Sequence, residues 1–369
     1  MPTTIADLDT PCVLIDLDRA ETNLKRAQAH ADANGYALRP HIKTHKLPRL
    51  AKRQVELGAV GITVQKLGEA EVMADAGLSD IFLPYNILGA NKLARLAALN
   101  GRVTLSVTAD SAETVSGYAA VFGAGQPLTV LVECDTGTRR CGVQTPDEAR
   151  KLAQAIDDAP GLVFGGLMTY PPAGRPGDAE AWLAAAVALL RDAGIAVPRV
   201  TSGNTPDIWH TGASVVTERR PGTYVYNDRM QVRAGAAAFD DCALTVLATV
   251  VSRPTPARAV LDSGSKALSS DIAPGIEGYG LIAGTDLTLK FLNEEHGVIE
   301  AGQLDLATLA ARGAEQENRS APVDLAVGDR VRIIPNHACV VSNLFDAVYF
   351  VSGNDVVATE VVAARGRVD

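Results

Sequence analysis

Residues 37–46 read ALRPHIKTHK, an apolar start followed by basic residues at alternating positions. In a strand, alternate side chains point to the same face, so four basic groups are predicted to share one surface at the end of a strand. Cations crowded in this way need an anion or a shared site, and neighbouring positive charges lower the pKa of a lysine, which favours a Schiff-base nucleophile. The residues alone leave a solvated basic edge strand as the alternative. The four basic residues are Arg39, His41, Lys43 and His45.

This stretch belongs to a series of strand-like segments that alternate with Ala-rich amphipathic segments. The repeat is roughly 25 residues long, which is typical of βα units, and several amphipathic segments stop at Gly, as helices often do. About eight strands with intervening helices favour a closed barrel over an open sheet. The predicted strands are 12–18, 37–44, 61–65, 80–85, 103–107, 128–135, 162–170, 199–203 and, as a further candidate, 223–228.

The pattern changes after about residue 235, where short strands with turn residues replace the helical period. The predicted fold class is therefore α/β, with a (β/α)8 TIM-type barrel at residues 1–235 followed by an all-β C-terminal domain at residues 236–369. Residues 1–20, which include the first strand, could pack with either domain. The most loop-like stretch is 313–329.

Composition narrows the class of function. The chain has 369 residues, of which 47% are hydrophobic and 21% are charged, as in an ordinary α/β protein. Its formal net charge of −9 argues against nucleic acid as a partner and favours a small substrate. No targeting or membrane-spanning segment is evident, and the five scattered cysteines suit a reducing compartment, so we expect a cytoplasmic protein.

Further motifs accompany RPHIKTHK and the preceding TPCVLIDLD along the chain. With them, the sequence resembles the metal-dependent D-threonine aldolase and D-serine dehydratase family, relatives of alanine racemase with the fold-type-III barrel. The resemblance covers nearly the whole chain. It implies that the cofactor is pyridoxal 5'-phosphate and that Lys43 carries it. The accompanying motifs are TVQKLGEAE (63–71), VECDTGTRRCGV (132–143), TSGNTP (201–206), RRPGTYVYND (219–228), EEHG (294–297) and PNHAC (335–339).

Two glycine-containing turns follow late strands of the predicted barrel. Both offer backbone N–H groups and hydroxyls, which is how barrels bind a phosphate near strands seven and eight. Ordinary turns are the alternative for either one alone, but the pair favours a cofactor phosphate. The predicted contacts are Ser202, Gly203, Asn204 and Thr205 in the first turn, and Gly222, Thr223 and Tyr224 in the second.

The remaining predicted cofactor contacts lie at other strand ends of the barrel. Glu133, Asp135, Arg139 and Gly142 resemble a family pattern in which an arginine lies near the cofactor or the substrate carboxylate. A salt-bridged loop is the alternative for the two acidic residues. Tyr170 should face the barrel mouth, where functional residues of such barrels collect, and is predicted to be catalytic as well. His41 and Gln65 complete the set.

His337 and Cys339 form the predicted metal pair. Two positions apart in a β context, their side chains would leave the same face, and imidazole with thiolate suits Zn²⁺. Alone, such a pair is a weak metal motif, but the resemblance implies a divalent ion here, with Mn²⁺ as a second candidate. The resemblance also places His296, within EEHG, near the active site as a catalytic residue, where a turn-capping histidine is the alternative.

One departure from the family concerns the base that acts on the substrate β-hydroxyl. The resemblance leads us to expect a histidine some residues after Tyr170, but the chain reads YPPAGRPGD at 170–178. Tyr170, His210 and Asp178 are therefore the candidates for this base.

Several functional hypotheses remain open. The first is a lyase of D-β-hydroxy-α-amino acids that cleaves Cα–Cβ to give glycine and an aldehyde, with dehydration of D-serine or D-3-hydroxyaspartate to a 2-oxoacid as its alternative. The second is an amino-acid racemase, against which the metal pair argues. The third is a non-catalytic cofactor-binding protein, against which the appended β domain argues. Resemblance to racemases also leads us to expect a homodimer, in which one subunit's β domain closes the other's barrel mouth.

Overall fold

The structure, a computed structural model, describes residues 3–212, 214–300 and 323–369. The predicted loop at 313–329 falls largely within 301–322 and so lies mostly outside the described residues. The chain divides into two compact units. One is a barrel unit of residues 21–225, 234–236 and 363–369, and the other is a β-rich unit of residues 1–20, 226–233 and 237–362.

The barrel unit contains eight parallel strands. Each strand pairs with its neighbour, and a parallel bridge between His41 and Thr63 joins the first barrel strand to the second and closes the ring. The predicted (β/α)8 barrel is thus confirmed. Strand β1 (Cys12–Asp16) belongs to the β-rich unit, and the barrel strands are β2 (Ala37–Leu38), β3 (Ile62–Thr63), β4 (Asp80–Leu83), β5 (Thr104–Ala109), β6 (Leu128–Cys134), β7 (Leu162–Thr169), β8 (Val200–Ser202) and β9 (Glu218–Arg219).

Amphipathic helices cover the outside of this barrel. The helix after β6 shows why they form: Thr145 and Glu148 cap its first turn reciprocally, at 3.2 and 3.0 Å, with Pro146 at its first position. Its apolar face, which includes Leu152 and Ile156, is buried against the sheet. The helices of this part of the chain are α1 (Leu17–Asn34), α2 (Pro48–Glu56), α3 (Leu67–Asp75), α4 (Ala90–Asn100), α5 (Ala112–Ala119), α6 (Pro146–Asp157) and α7 (Pro176–Asp192).

Two predicted barrel strands differ from the structure. The ladder of β2 ends at Leu38, although single backbone bonds from Arg39 and His41 to the β9 segment continue its direction, and residues 42–44 then form a 3-10 helix. At 223–228 there is no strand, because residues 223–225 form another 3-10 helix and the eighth barrel strand is the earlier β9.

The β-rich unit is built on a largely antiparallel sheet in which β1 takes a central position. β1 pairs antiparallel with β10 and parallel with β16. The further strands are β10 (Leu244–Thr255), β11 (Arg258–Leu261), β12 (Gly280–Ile282), β13 (Leu289–Leu292), β14 (Gly297–Glu300), β15 (Arg330–Pro335), β16 (Ala347–Ser352) and β17 (Asp355–Val361). Short helices interrupt them at α8 (Arg229–Arg233), α9 (Ser265–Leu268) and α10 (Ala338–Leu344). In the described part of the chain, no helix has both the length and the apolar character that a membrane crossing requires.

Candidate active site

Lys43 lies in the 3-10 helix that follows β2, at the carboxyl end of the barrel strands. His41 caps this helix, because its Nδ1 accepts a hydrogen bond from the Lys43 backbone N–H at 3.3 Å. The Lys43 side chain is half-buried. Its Nζ lies 6.0 Å from the centroid of the Tyr170 ring, at the end of β7. Two residues predicted to be catalytic are therefore brought together at the barrel mouth.

His41 is a neutral hydrogen-bonding link between two strand ends. Since its Nδ1 accepts from Lys43, its Nε2 carries the proton and donates to Oε1 of Gln65 at 3.1 Å. Burial, and next the positive charge of Lys43, hold the pKa of His41 well below its usual value. The predicted residues Gln65 and His41 thus meet beside Lys43, and neither adds a charge to the site.

His45 does not join the predicted basic surface. The backbone turns at residues 42–44, so the His45 ring is buried on the side of helix α2, where Nδ1 accepts from Leu47 N–H at 3.0 Å and Nε2 lies 3.4 Å from Gln54. Burial lowers the pKa of His45 to about 4. Arg39 is buried as well, in ion pairs with Glu218 and Asp80. The prediction that four basic groups share one surface was wrong.

The two glycine turns lie side by side, next to the segment that carries Lys43. Gly222 N–H donates to Oγ1 of Thr205 at 3.2 Å, and Arg220 N–H donates to the carbonyl of Ser202 at 3.1 Å. A Cβ at Gly222 would lie only 3.0 Å from the His41 carbonyl oxygen, so glycine allows the close approach. These contacts fit a phosphate-binding corner beside the lysine.

Two members of the predicted phosphate set use their side chains elsewhere. The Asn204 amide donates to the Pro171 carbonyl and to Asp207, at 3.1 and 3.0 Å, and its oxygen accepts from Asp207 N–H. The Tyr224 hydroxyl accepts from Gln54 at 3.0 Å in a buried position. Asn204 and Tyr224 therefore stabilise the loops through these bonds, and their contact with the cofactor stays a prediction.

The arginine that faces the barrel mouth is Arg140 rather than Arg139. The Arg140 guanidinium lies 4.9 Å from the centroid of the Tyr170 ring. Both arginines are exposed, but Arg139 has a positive φ of 58°, and its backbone N–H is bound to the Asp135 carboxylate. The sequence could have indicated Arg140, because the family pattern places two residues between Asp-Thr-Gly and its arginine. Counted from Asp-Thr-Gly at 135–137, that spacing selects Arg140. The Asp135 carboxylate also accepts from Gly137 N–H, so it shapes the turn.

Two buried charged groups lie beneath this mouth: Glu133, which the sequence analysis named as part of the arginine pattern, and Arg220, which it did not single out. Burial and the nearby Asp110 raise the pKa of Glu133, against the opposing effect of Arg140. The Arg220 guanidinium donates to Thr201 at 2.8 Å and to the Thr169 carbonyl at 2.5 Å, and burial lowers its pKa to about 10. Arg220 stands in the RRPG motif, of which the sequence analysis used only the turn.

Of the three candidates for the β-hydroxyl base, the structure places Tyr170 nearest to the functional groups already described. Tyr170 is 37% exposed, and its ring centroid lies 6.0 Å from Lys43 Nζ and 4.9 Å from the Arg140 guanidinium. His210 lies 3.7 Å from Glu180, and Asp178 is exposed and paired with Arg175.

The predicted metal pair lies in the β-rich unit, where helix α10 begins. The expected β context for this pair was wrong, because His337 is at the N-cap position of the helix and Cys339 lies in its first turn. The two side chains nevertheless meet through a hydrogen bond. Burial alone would lower the pKa of His337, but Cys339 and two nearby carboxylates raise it to about 9. Within residues 3–212, 214–300 and 323–369, no three His, Cys, Asp or Glu side chains cluster at metal-binding spacing.

Hydrogen bonds hold this pair on both sides. Asp271 Oδ2 lies 2.9 Å from Nδ1 of His337, an arrangement in which a carboxylate orients a ligating histidine. The buried Asp228 carboxylate accepts from the Ala338 N–H at 2.9 Å. Asn336 is bound to Arg229 at 2.7 Å and to two backbone carbonyls at 2.9 Å. An oriented imidazole beside a thiol fits a divalent ion.

His296 lies at the turn between β13 and β14 in the β-rich unit. Its side chain is exposed, and its carbonyl accepts from Asn293 N–H at 2.9 Å to close the turn. The catalytic role predicted for His296 stays a prediction.

Two family models match consecutive parts of the chain: alanine racemase, N-terminal domain, over residues 15–230, and putative serine dehydratase domain, over residues 243–351. The D-threonine aldolase of an Arthrobacter species is 36% identical, over 98% of this chain and 94% of its own length. The chain belongs to the D-threonine aldolase and D-serine dehydratase family. Another member, the D-threo-3-hydroxyaspartate dehydratase of a Delftia species, is 33% identical over 97% of this chain and 98% of its own.

Solved structures of this family match over almost the whole chain. The D-threonine aldolase of Filomicrobium marinum superposes with a TM-score of 0.84 at 31% identity, covering 100% of both chains. The Delftia dehydratase gives 0.83 at 31% identity, covering 97% of this chain and 98% of its own. Alanine racemase of Bacillus anthracis, at 15% identity and 0.68, shares the fold. As a member of a family of aldolases and dehydratases, the chain is a pyridoxal-phosphate-dependent lyase.

Proposed function

We propose that this lyase cleaves the Cα–Cβ bond of D-β-hydroxy-α-amino acids, such as D-threonine, to give glycine and an aldehyde. The observation that carries the proposal is the group of Lys43, Tyr170 and Arg140 at the barrel mouth, with Nζ 6.0 Å and the guanidinium 4.9 Å from the phenol ring. An amine, a phenol and a guanidinium supply a cofactor anchor, a proton carrier and a carboxylate partner.

Lys43 would hold the cofactor, and the corner formed by Ser202, Gly203, Gly222 and Thr223 would hold its phosphate. Pyridoxal phosphate, when bound, supplies an electron sink for the bond that breaks at Cα. The neutral His41 orients the lysine backbone without adding charge. Arg140 would pair with the substrate carboxylate, because guanidinium binds carboxylate in a bidentate manner.

His337 and Cys339 would hold a divalent ion, with Zn²⁺ favoured by the thiolate and Mn²⁺ as the second candidate. Such an ion, when bound, supplies Lewis-acid polarisation of the β-hydroxyl oxygen. Asp271 on Nδ1 supports this role, because it orients the imidazole and leaves Nε2 as the ring nitrogen for the metal.

Dehydration to a 2-oxoacid and ammonia is the second candidate reaction. Aldol cleavage requires a base for the β-hydroxyl proton, and His210 and Asp178 are already paired with Glu180 and Arg175, so that role would fall to Tyr170. Loss of the hydroxyl group needs no such base. A cysteine in the metal pair also fits this candidate, since a cysteine-to-alanine mutant of a D-threo-3-hydroxyaspartate dehydratase has been solved in the metal-free form.

The proposed enzyme is a homodimer of the cytoplasm. The family relationship to alanine racemase supports the dimer, with one subunit's β-rich unit covering the barrel mouth of the other. The absence of any disulfide among the five cysteines, all of which lie in described residues, supports a reducing compartment.

One assay tests the reaction. The cofactor-loaded, metal-loaded protein is incubated with D-threonine and with D-serine, and glycine plus acetaldehyde is measured against 2-oxoacid plus ammonia. Glycine and acetaldehyde from D-threonine support cleavage, whereas 2-oxoacid from either substrate overturns it in favour of dehydration. L-Threonine and the Lys43→Ala variant serve as controls, and racemisation of a D-amino acid without either product would refute the lyase proposal.

A further inference from the structure

A buried ion pair lies directly behind the segment that carries Lys43. Lys46 Nζ is 2.9 Å from Oε1 of Glu69, and the two side chains are only 8% and 1% exposed. Lys46 also has a φ of 55°, a left-handed conformation that residues other than glycine seldom adopt. Because burying two charges and a strained backbone is costly, this pair is more than a surface contact.

The second oxygen of Glu69 binds a different strand end. Oε2 accepts the backbone N–H groups of Gln65 at 2.7 Å and Lys66 at 3.2 Å. The bond to Lys66 is an ordinary capping interaction at the start of α3. The bond to Gln65 and the pair with Lys46 are additional. One carboxylate thus joins the segment after β2 to the segment after β3.

These contacts form a closed circuit around Lys43. The Gln65 side chain accepts from His41, and His41 accepts from the Lys43 backbone N–H. The Lys46 N–H donates to the Ile42 carbonyl at 2.8 Å, which completes the turn that presents Lys43. Movement of any link would therefore shift the lysine or the imidazole beside it.

Residue 364 fixes the pair from its other side. Ala364 is fully buried in the barrel unit, and its N–H donates to the Lys46 carbonyl at 3.2 Å, while Lys46 Nζ donates to the Ala364 carbonyl at 3.4 Å. The left-handed conformation of Lys46 is thus held by contacts on both its backbone and its side chain.

We infer that Glu69 and Lys46 are positioning residues, which set the orientation of Lys43 and His41 toward the cofactor by tying two strand ends of the barrel together. The inference rests on the proposed role of Lys43 as the cofactor lysine. It predicts that the hydrogen-bond acceptor at position 69, and not only the charge pair, controls how the cofactor is bound.

Paired substitutions separate this role from simple stabilisation. Lys46→Met with Glu69→Gln removes both charges but keeps an oxygen for the two N–H groups, whereas Lys46→Met with Glu69→Leu removes that oxygen as well. Neither double variant leaves a stranded charge, so both are designed to fold. The measurements are melting temperature, the dissociation constant of pyridoxal phosphate, and the absorbance spectrum of the bound cofactor. The matched control is Glu71→Gln, which lies on the same helix as Glu69 and breaks a half-exposed pair with Arg95 of α4.

We expect the double variant with leucine to bind the cofactor roughly tenfold or more weakly, with a changed absorbance spectrum. The double variant with glutamine, which keeps the acceptor but loses the tie to Lys46, should show a smaller change in the same direction, and only the Glu71→Gln control should resemble the wild type. If the leucine variant fails to fold, Gln65→Ala, which breaks the circuit without touching the pair, must give the same spectral change. Wild-type affinity and spectrum in the leucine variant, or in Gln65→Ala when that variant stands in for it, would overturn the inference. A wild type without a Lys43-dependent cofactor band would instead refute the proposed function.

Discussion

His45→Asn is predicted to remove part of the acid sensitivity of the barrel unit. The His45 ring is fully buried three residues before α2 begins, and burial lowers its pKa from 6.5 to about 4. The unfolded chain therefore binds a proton here more readily than the folded one. The stability contributed by neutral His45 is fully present above about pH 6.5 and is lost as the pH falls toward about 4. Asparagine can still accept the Leu47 N–H but does not titrate.

The size of the effect follows from the pKa shift. A difference of about 2.5 units corresponds to roughly 3 kcal/mol over the whole window, of which about 2 kcal/mol is lost between pH 7 and about pH 5. The pKa of His41 is lowered too and its titration has the same sign, but it contributes equally to both proteins and cancels in their comparison.

Urea unfolding at pH 7 and at pH 5 measures the difference. Both tryptophans, Trp182 and Trp209, lie in the barrel unit, so their fluorescence reports its unfolding. The wild type should lose about 2 kcal/mol more than His45→Asn on acidification. Equal losses in the two proteins would refute the reasoning, because they would mean that His45 titrates alike in the folded and the unfolded chain, as a solvated histidine does.

Further predictions concern the proposed site and the oligomeric state. Lys43→Ala should leave the fold intact but abolish turnover and the absorbance of the lysine-bound cofactor, and borohydride trapping of the cofactor on another lysine would contradict this. A chelator should remove most lyase activity while the cofactor band persists, and Zn²⁺ or Mn²⁺ should restore it, because Lewis-acid assistance contributes several kcal/mol. Cys339→Ala should behave like the chelated enzyme, whereas unchanged turnover with a lower melting temperature would identify a packing thiol. Light scattering should give twice the mass of the chain, and a fully active monomer would exclude the shared site.

Seven of the eight barrel strands could be predicted because each is a short apolar run beside an amphipathic helix, whereas β9 (Glu218–Arg219) is charged and was missed. The predicted strand at 37–44 was too long, since Pro40 lacks an N–H for a ladder and the chain turns into a 3-10 helix after His41. The alternation of side chains fails beyond that point, and His45 is buried instead of facing the site. Strand periodicity cannot show where a strand changes to a turn.

In the site as well, the sequence did not show which way neighbouring side chains point. Arg139 and Arg140 have the same chemistry, and the side chain that faces the mouth is decided by the left-handed backbone at Arg139. His337 and Cys339 were predicted on a strand and lie at a helix start, yet they meet, because the cap residue and the first turn of a helix are close in space. Chemical type was readable from the sequence, whereas direction depended on local backbone conformation.

The very short strands β2 and β9 hold their register through charge as well as through backbone bonds. Arg39 directly follows β2 and pairs with Glu218, the first residue of β9, at 2.7 Å in a buried position. Beyond this pair, the segments that follow β2 and β9 stay paired through the bond from His41 N–H to the Pro221 carbonyl. One segment then reaches Lys43 and the other reaches Gly222. Because a buried charge that loses its partner is strongly destabilising, a slip of one strand against the other is costly. The distance between Lys43, the proposed cofactor lysine, and the proposed phosphate turn at Gly222 is therefore set below the site, by a salt bridge that touches neither.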